Sequence, residues 1–166
     1  MTETFNAGQP AAAPRARWAE LHEQVQAVVA GERSSTARFA TAACMIKHAM
    51  GPRFSWVGFY VVDPESPREL VVGPYQGTLG CLRIAFGRGV CGTAAAEDRT
   101  LLVPDVHAFP GHIACDAASR SELVVPVHDP SGALAAVLDI DSTEPDAFDE
   151  VDRVGVEAIC ADLLRV

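Results

Sequence analysis

The sequence has no apolar run approaching the about 18 residues that a membrane span needs. Its opening stretch, MTETFNAGQPAAAPRARW, lacks the continuous apolar core of a secretory signal. It has no internal repeat, no phosphate-binding loop and no dinucleotide fingerprint. The glycine-rich GRGVCG at 87–92 lacks the lysine and the spacing of a phosphate cradle. No CxxC pair is present. Basic residues are scarce: 13 Lys and Arg stand against 22 Asp and Glu, a formal charge of −9. That balance argues against nucleic acid, whose phosphates would repel the chain, and against an anionic membrane surface. The expected location is the cytoplasm.

What is present points to one folded domain. The 166 residues, 49% of them apolar, suffice for one domain with a real core, and disorder is not the default. Residues 1–15, rich in Pro, Ala and Gly, read as a leader, and residues 16–166 as the domain. There are five cysteines, an odd count that does not suggest a secreted disulfide framework. Cys44 and Cys160 fall inside helical patterns, where a thiol packs as a small apolar residue. Cys81, Cys91 and Cys115 fall at element ends and in loops, and need a separate account.

Trp18, Leu21, Val25, Val28 and Val29 recur at helical spacing, so a helix is expected over 16–31. A second helix opens with Ser35 as N-cap, carries Phe39, Ala42, Ala43, Ile46 and Met50 on one face, and ends at Gly51-Pro52. FSWVGFYVV, LVVGPYQG and CLRIAF read as strands, with DPESPRE a turn between the first two. GRGVCGTAAAED is a glycine-rich turn feeding a short helix, and TLLVPDV a brief extended piece. SELVVPV and ALAAVLDID are strands joined by the hairpin turn HDPSG, and the chain closes on an acidic-capped helix from Phe148. The fold class is therefore α/β of the α+β type: a mostly antiparallel central sheet with helices packed on one face.

Strand alternation sorts the candidate site. In SWVGFY, Val57, Phe59 and Val61 suit a helix-packed core, while Trp56, Gly58 and Tyr60 share the other face as a shallow slot with aromatic walls. Ordinary sheet packing fits the same pattern. In LAAVLDID, Leu134, Ala136, Leu138 and Ile140 share one face, and Ala135, Val137, Asp139 and Asp141 the other. Two carboxylates one pleat apart raise at least one pKa when partly buried, and such a pair can deliver a proton as a general acid. A solvated strand end is the alternative. Glu122 opens another strand and can join them.

The stretch PDVHAFPGHIACDAASRSE, 104–122, has no helix or strand period, and a loop of that length is uncommon without a function. It holds Cys115 beside Asp116 and near His112. Cys91 precedes the run GTAAAED, where a helix N-terminus favours a thiolate. Three loop-associated thiols with carboxylates nearby suggest thiol redox chemistry. His107, His112 and Cys115 offer zinc-type ligands, but their spacing matches no common zinc motif, so no metal is expected.

WVGFY, VVGPYQG, FGRGVCGTAA, DVHAFPGHIACDAAS, SELVVPV and VLDIDS occur in this order. In these runs the chain resembles the free methionine-(R)-sulfoxide reductases, enzymes built on a GAF domain, over about residues 17–166. The resemblance implies reduction of the R epimer of free methionine sulfoxide, not of the peptide-bound form. It implies Cys115 as nucleophile, Cys81 as resolving thiol, and Cys91 in the redox cycle or its relay. It assigns Glu122, Asp139 and Asp141 to the substrate-site carboxylates and Trp56 and Tyr60 to the aromatic wall. It implies no bound cofactor, thioredoxin as external reductant, and a homodimer. Thr78 departs from the pattern, because many relatives carry lysine after QG, and LGCLRIAF departs around its cysteine; no cysteine or carboxylate is changed. A GAF-type module that binds a small ligand without catalysis would have the same fold. A redox-sensing switch using the same three cysteines is a third reading.

Overall fold

The computed structural model describes residues 14–113 and 115–165. The elements are α1 (Pro14–Val29), α2 (Ser35–Met50), β1 (Trp56–Asp63), β2 (Ser66–Gln76), β3 (Arg83–Ala85), α3 (Gly89–Glu97), β4 (Leu101–Val103), β5 (Ser121–His128), β6 (Leu134–Ser142) and α4 (Glu150–Asp162). The strands form one antiparallel sheet in the order β3-β2-β1-β6-β5-β4. Its centre is the pairing of β1 with β6, which joins the early and late parts of the chain.

One face of the sheet carries the main core. Val57 and Phe59 of β1, Leu123, Val125 and Val127 of β5, and Ala136, Leu138 and Ile140 of β6 pack against α1, α2 and α4. Phe39 of α2 stacks on Phe59 with ring centroids 4.4 Å apart. The alternation of apolar residues along β1 and β6 produces this face directly. Leu134 is the exception. The pairing steps from Val127 opposite Ala136 to His128 opposite Leu134, and the bulge turns Leu134 onto the other face. Helices on one face describes α1, α2 and α4; α3 packs on the opposite face, with Cys91, Ala94 and Ala95 in a second core beneath it.

Local chemistry moves some boundaries. The expected leader lies outside the described residues as far as residue 13, and α1 begins at Pro14, at a position where proline's missing N–H is no loss. Val28 faces solvent at 63% exposure, because α1 buries Trp18, Leu21, Val25 and Val29 instead. The N-cap of α2 is Ser34, not Ser35: the Ser34 hydroxyl accepts the Ala37 N–H at 3.3 Å. Cys44 is exposed rather than buried, since it lies off the stripe of Phe39, Ala42, Ala43, Ile46 and Met50. Cys160 is buried as expected. β2 starts at Ser66, so much of DPESPRE is strand, and the turn tightens at Asp63, whose carboxylate accepts the Glu65 N–H at 3.0 Å.

Asp152 locks the ends of α1 and α4 together. It is 2% exposed and accepts the Trp18 indole N–H at 3.0 Å. It also completes the α4 capping box with Asp149 and pairs with Arg53 at 2.5 Å. Asp152→Ala is expected to lower unfolding free energy by about 2–3 kcal/mol, the sum of an orphaned buried donor and a lost cap. A drop in urea midpoint at unchanged slope is the readout; an unchanged midpoint would remove Asp152 from this role.

Candidate functional site

The face of the sheet opposite the main core builds a floor from three adjacent strands. Trp56 of β1, Asp141 of β6 and Glu122 of β5 lie in one cross-strand row. Gly58, Asp139 and Val124 lie in the next. Cross-strand partners project from the same face, so alternation along β6 pairs Asp139 with Asp141 and the β5–β6 register adds Glu122.

The expected slot between Trp56 and Tyr60 is filled. A Cβ on Gly58 would fall 2.5 Å from Trp56 Cη2 and 2.3 Å from Tyr75 Cβ. The indole therefore lies over the glycine, between Tyr60 and Tyr75, at centroid distances of 5.6 and 5.2 Å. Glycine makes room for the wall instead of leaving a groove in it. Tyr75 escapes alternation arguments because its place beside Gly58 depends on the β1–β2 register.

The roof is α3 and two loops. Gly92 lets α3 approach β3, for a Cβ there would lie 2.3 Å from the Ala85 carbonyl oxygen. This seats Cys91 over the carboxylates. The Cys91 thiol is 4% exposed and donates to Glu122 Oε1 at 3.6 Å. Cys91 lies inside α3, not ahead of it, and burial together with the Asp139 and Glu122 charges pushes its pKa well up. The expectation of a thiolate at Cys91 is therefore corrected: desolvation and like charge outweigh the helix dipole.

Cys81, in the loop before β3, is bonded to Cys115, in the loop after β4, with Cα atoms 5.1 Å apart. Cys115 divides the space beneath. A hollow of about 30 Å³ on one side is lined by Arg88, Cys91, His112, Ser119 and the carboxylates. One of about 20 Å³ on the other side is lined by Trp56, Tyr60, Leu79, Gly80, Asp116, Asp139 and Asp141. Each has room for about one water, so the disulfide-bonded form is closed to anything the size of an amino acid.

Electrostatics divides the carboxyl groups. Burial, then the charges of Asp139 and Asp141, hold Glu122 well above the usual range. Asp141, which keeps some solvent contact, is also raised, by desolvation and then by Asp139, while Ser119 hydrogen-bonds it and opposes the shift. Asp139 is raised to about 6 by burial, with hydrogen bonds to Cys91 and Glu122 opposing. Its Oδ1 is buried without a hydrogen-bond partner. Tyr60 is pushed upward by burial and by Asp139, so its phenol stays neutral, and its hydroxyl meets the Cys81 backbone.

All eight sequence candidates meet here: Cys81, Cys91, Cys115, Trp56, Tyr60, Glu122, Asp139 and Asp141. The zinc-type set does not converge. His107 and His112 stand edge to face with centroids 6.3 Å apart, and only His112 lines the pocket. Among the described residues the group able to hold a metal is Cys91, Glu122 and Asp139, with ligand atoms within 4.8 Å of one another. Sequence reasoning missed Arg88, Ser119 and the Asp116 link to Thr78. They sit on turns and loops, where no period signals direction.

A GAF domain model matches residues 33–164. The free methionine-R-sulfoxide reductase of Escherichia coli is 41% identical, over 90% of this chain and 87% of its own length. The Saccharomyces cerevisiae protein of that name is 40% identical, over 78% of this chain and 73% of its own. The structure of the free methionine-R-sulfoxide reductase from Neisseria meningitidis in complex with its substrate is 42% identical. It superposes with a TM-score of 0.88 and covers 98% of this chain and 95% of that one.

Asp139→Asn reads what it costs to bury this cluster. The carboxyl of Asp139 is raised from 3.8 to about 6, so its ionised form is disfavoured in the fold. The stability it supports is present below about pH 4 and lost as pH rises through 6. The Asn variant is expected to be more stable than wild type at pH 7.5 by on the order of 2–3 kcal/mol, the gap closing toward pH 4. Urea unfolding across that range checks this, and a pH-independent gap would contradict it.

Proposed function

The chain belongs to the free methionine-R-sulfoxide reductases of the GAF-domain family, and from that membership we propose that it reduces the R-sulfoxide of free methionine to methionine, with Cys115 as nucleophile and Cys81 as the thiol that resolves it. The observation that carries the assignment of roles is the Cys81–Cys115 bond set over three raised carboxyl groups.

A sulfoxide oxygen leaves only when protonated. Glu122 is the donor: burial and its acidic neighbours raise its pKa and favour the protonated form. Asp139, at about 6, is the ionised member and meets the substrate ammonium with the oxygen that lacks a partner. The methyl and sulfur rest on the Trp56 and Tyr60 wall. Cys115 Sγ bonds to the substrate sulfur as the oxygen takes the Glu122 proton; the hydroxyl then passes to Cys115 Sγ while the substrate S–O bond and the transient S–S bond break, so that methionine departs and Cys115 is left as a sulfenic acid. Cys81 then attacks Cys115 Sγ, forming the disulfide and releasing water. Cys91 remains a thiol throughout and serves as a hydrogen-bond donor to Glu122. The close roof leaves no passage for a peptide on either side of the amino acid.

Return to the dithiol needs an external reductant, for which thioredoxin is the candidate. Cys81 and Cys115 keep partial solvent contact, and the flanking Leu79 and Leu82 are 81% and 75% exposed, which suits contact with a protein dithiol. Exchange of this kind requires no bound cofactor. No described helix is long and apolar enough to cross a membrane, and the cytoplasm is the proposed location. A homodimer would use the apolar hollow between α1 and α4, lined by Trp18, Ala19, Val151 and Val154; sedimentation reads it directly.

With thioredoxin, its reductase and NADPH, the wild type is expected to turn over the free R epimer and leave the S epimer and a blocked peptide untouched. Cys115→Ser abolishes turnover. Cys81→Ser yields about one methionine per chain and stops. Cys91→Ser, whose hydroxyl still reaches Glu122, stays within about tenfold of wild type. Repeated turnover by Cys81→Ser would transfer the resolving role to Cys91. No turnover by wild type on any sulfoxide would favour the GAF-type ligand sensor.

The pH dependence of kcat/KM has two expected limbs. Below about 6 it falls as Asp139 gains a proton and loses its attraction for ammonium. At alkaline pH it falls as Glu122 loses the proton it must donate. Asp139→Asn is expected to remove the acid limb; an acid limb persisting in that variant would move the ammonium contact elsewhere.

A further inference from the structure

Neither cysteine of the redox pair sits on a regular element, yet a disulfide requires their Cα atoms to come within a narrow range. Something must hold the two loops in that relation. The Cys81 loop is fastened first. Its Thr78 carbonyl accepts the Trp56 indole N–H at 3.1 Å. A Cβ on Gly77 would lie 2.7 Å from Trp56 Cδ1, and one on Gly80 2.8 Å from the Tyr60 hydroxyl, so backbone rests directly on the aromatic wall. The Tyr60 hydroxyl also meets the Cys81 backbone. The wall therefore carries the resolving thiol.

The Cys115 loop has a link to the Cys81 loop besides the disulfide. The Thr78 hydroxyl donates to Asp116 Oδ2 at 2.6 Å. Asp116 Oδ1 accepts the Ala118 N–H at 2.8 Å, which fixes the carboxylate as an acceptor. The contact lies one residue from Cys115 and three from Cys81. It joins a side chain of one loop to a charged group of the other, the stronger kind of hydrogen bond. Thr78 is thus tied by its carbonyl to the wall and by its hydroxyl to the neighbour of the nucleophile.

We infer that the Thr78–Asp116 hydrogen bond is a latch that closes the Cys115 loop onto the Cys81 loop, making Thr78 a positioning residue for disulfide formation and not for sulfoxide reduction. The inference rests on the reductase reading only for its place in the cycle. The latch raises the effective concentration of one thiol at the other, and acts in any oxidation that joins them.

The test uses the full chain in glutathione buffers, with the disulfide quantified by mass after alkylation. Two thiols and one oxidised glutathione give the protein disulfide and two reduced glutathiones, with no sulfoxide involved. Thr78→Val keeps the shape and loses the donor. It is expected to lower the equilibrium constant for the Cys81–Cys115 disulfide about three- to tenfold, the range for one partly solvated hydrogen bond to a charged group. Thr78→Ser is expected to restore it. In a single turnover with free methionine-R-sulfoxide, Thr78→Val should release methionine at the wild-type rate and form the disulfide more slowly by a similar factor. An equilibrium constant within twofold of wild type in Thr78→Val overturns the latch. A shifted equilibrium in a chain whose wild type releases no methionine overturns the reductase reading and leaves the latch standing.

Discussion

Three carboxyl groups stand together on one face of two neighbouring strands, largely withdrawn from water, and no cation is among the causes that set their pKa values. Like charges at that spacing cannot all be ionised, so the cluster must hold protons or attract a cation. Both suit the proposed reaction, in which the site delivers a proton and receives an ammonium group. The arrangement opposes folding, and the opposite face compensates. There Val57, Phe59, Leu138 and Ile140 are fully buried among three helices, with no carboxylate between them. The sheet separates a layer that supplies stability from a layer that holds chemistry, as is common where function requires groups the fold would not choose.

Cys91 shows how narrow the choice of residues near such a cluster is. A lysine there would discharge the carboxyl groups and pull their protons away. A larger apolar side chain would leave Glu122 without its donor. A thiol is small, nearly apolar and able to donate one weak hydrogen bond. Gly92 brings the helix close enough for that contact, since any Cβ would strike the Ala85 carbonyl. The glycine-rich run resembles a phosphate cradle in composition, yet its use is close approach of a helix to a strand.

Floor and roof differ in kind. The carboxyl groups and aromatic wall lie on hydrogen-bonded strands, which hold them at fixed spacing. The disulfide-bonded cysteines lie on loops, and in the proposed cycle the sulfur of Cys115 first meets the substrate and then Cys81. A rigid element could serve one of those positions and not both. The disulfide leaves hollows of only about 30 and 20 Å³, which fits the proposed cycle, in which reduction precedes substrate entry.

Much of this arrangement is legible in the amino-acid sequence. Period-two patterns in SWVGFY and, beyond Leu134, in LAAVLDID sort core from site correctly, because strand alternation is a property of the backbone and needs no partner. Cys81 and Cys115 are separable from Cys160 by position in the chain. Failures fall where a neighbour decides: Cys44 and Val28 fit helical spacing but miss the buried stripe, and Leu134 is turned over by a bulge that only the pairing with His128 reveals. The state of the Cys91 thiol escapes sequence reasoning because the helix dipole is visible there while Glu122 and Asp139, some 31 and 48 residues along the chain, are not.

By itself the sequence determined which face most residues of β1 and β6 take, that Cys81 and Cys115 lie outside the regular elements, and the acidic character that argues against nucleic acid, since periodicity and charge are local sums. Tertiary structure alone decided the register of β5 on β6 that brings Glu122 to Asp139 and Asp141. It also decided the tilt of Trp56 over Gly58 and the clasp of Thr78 on Asp116. Each of these joins residues distant in the chain, and the energy that selects them arises only when both are present at the same place.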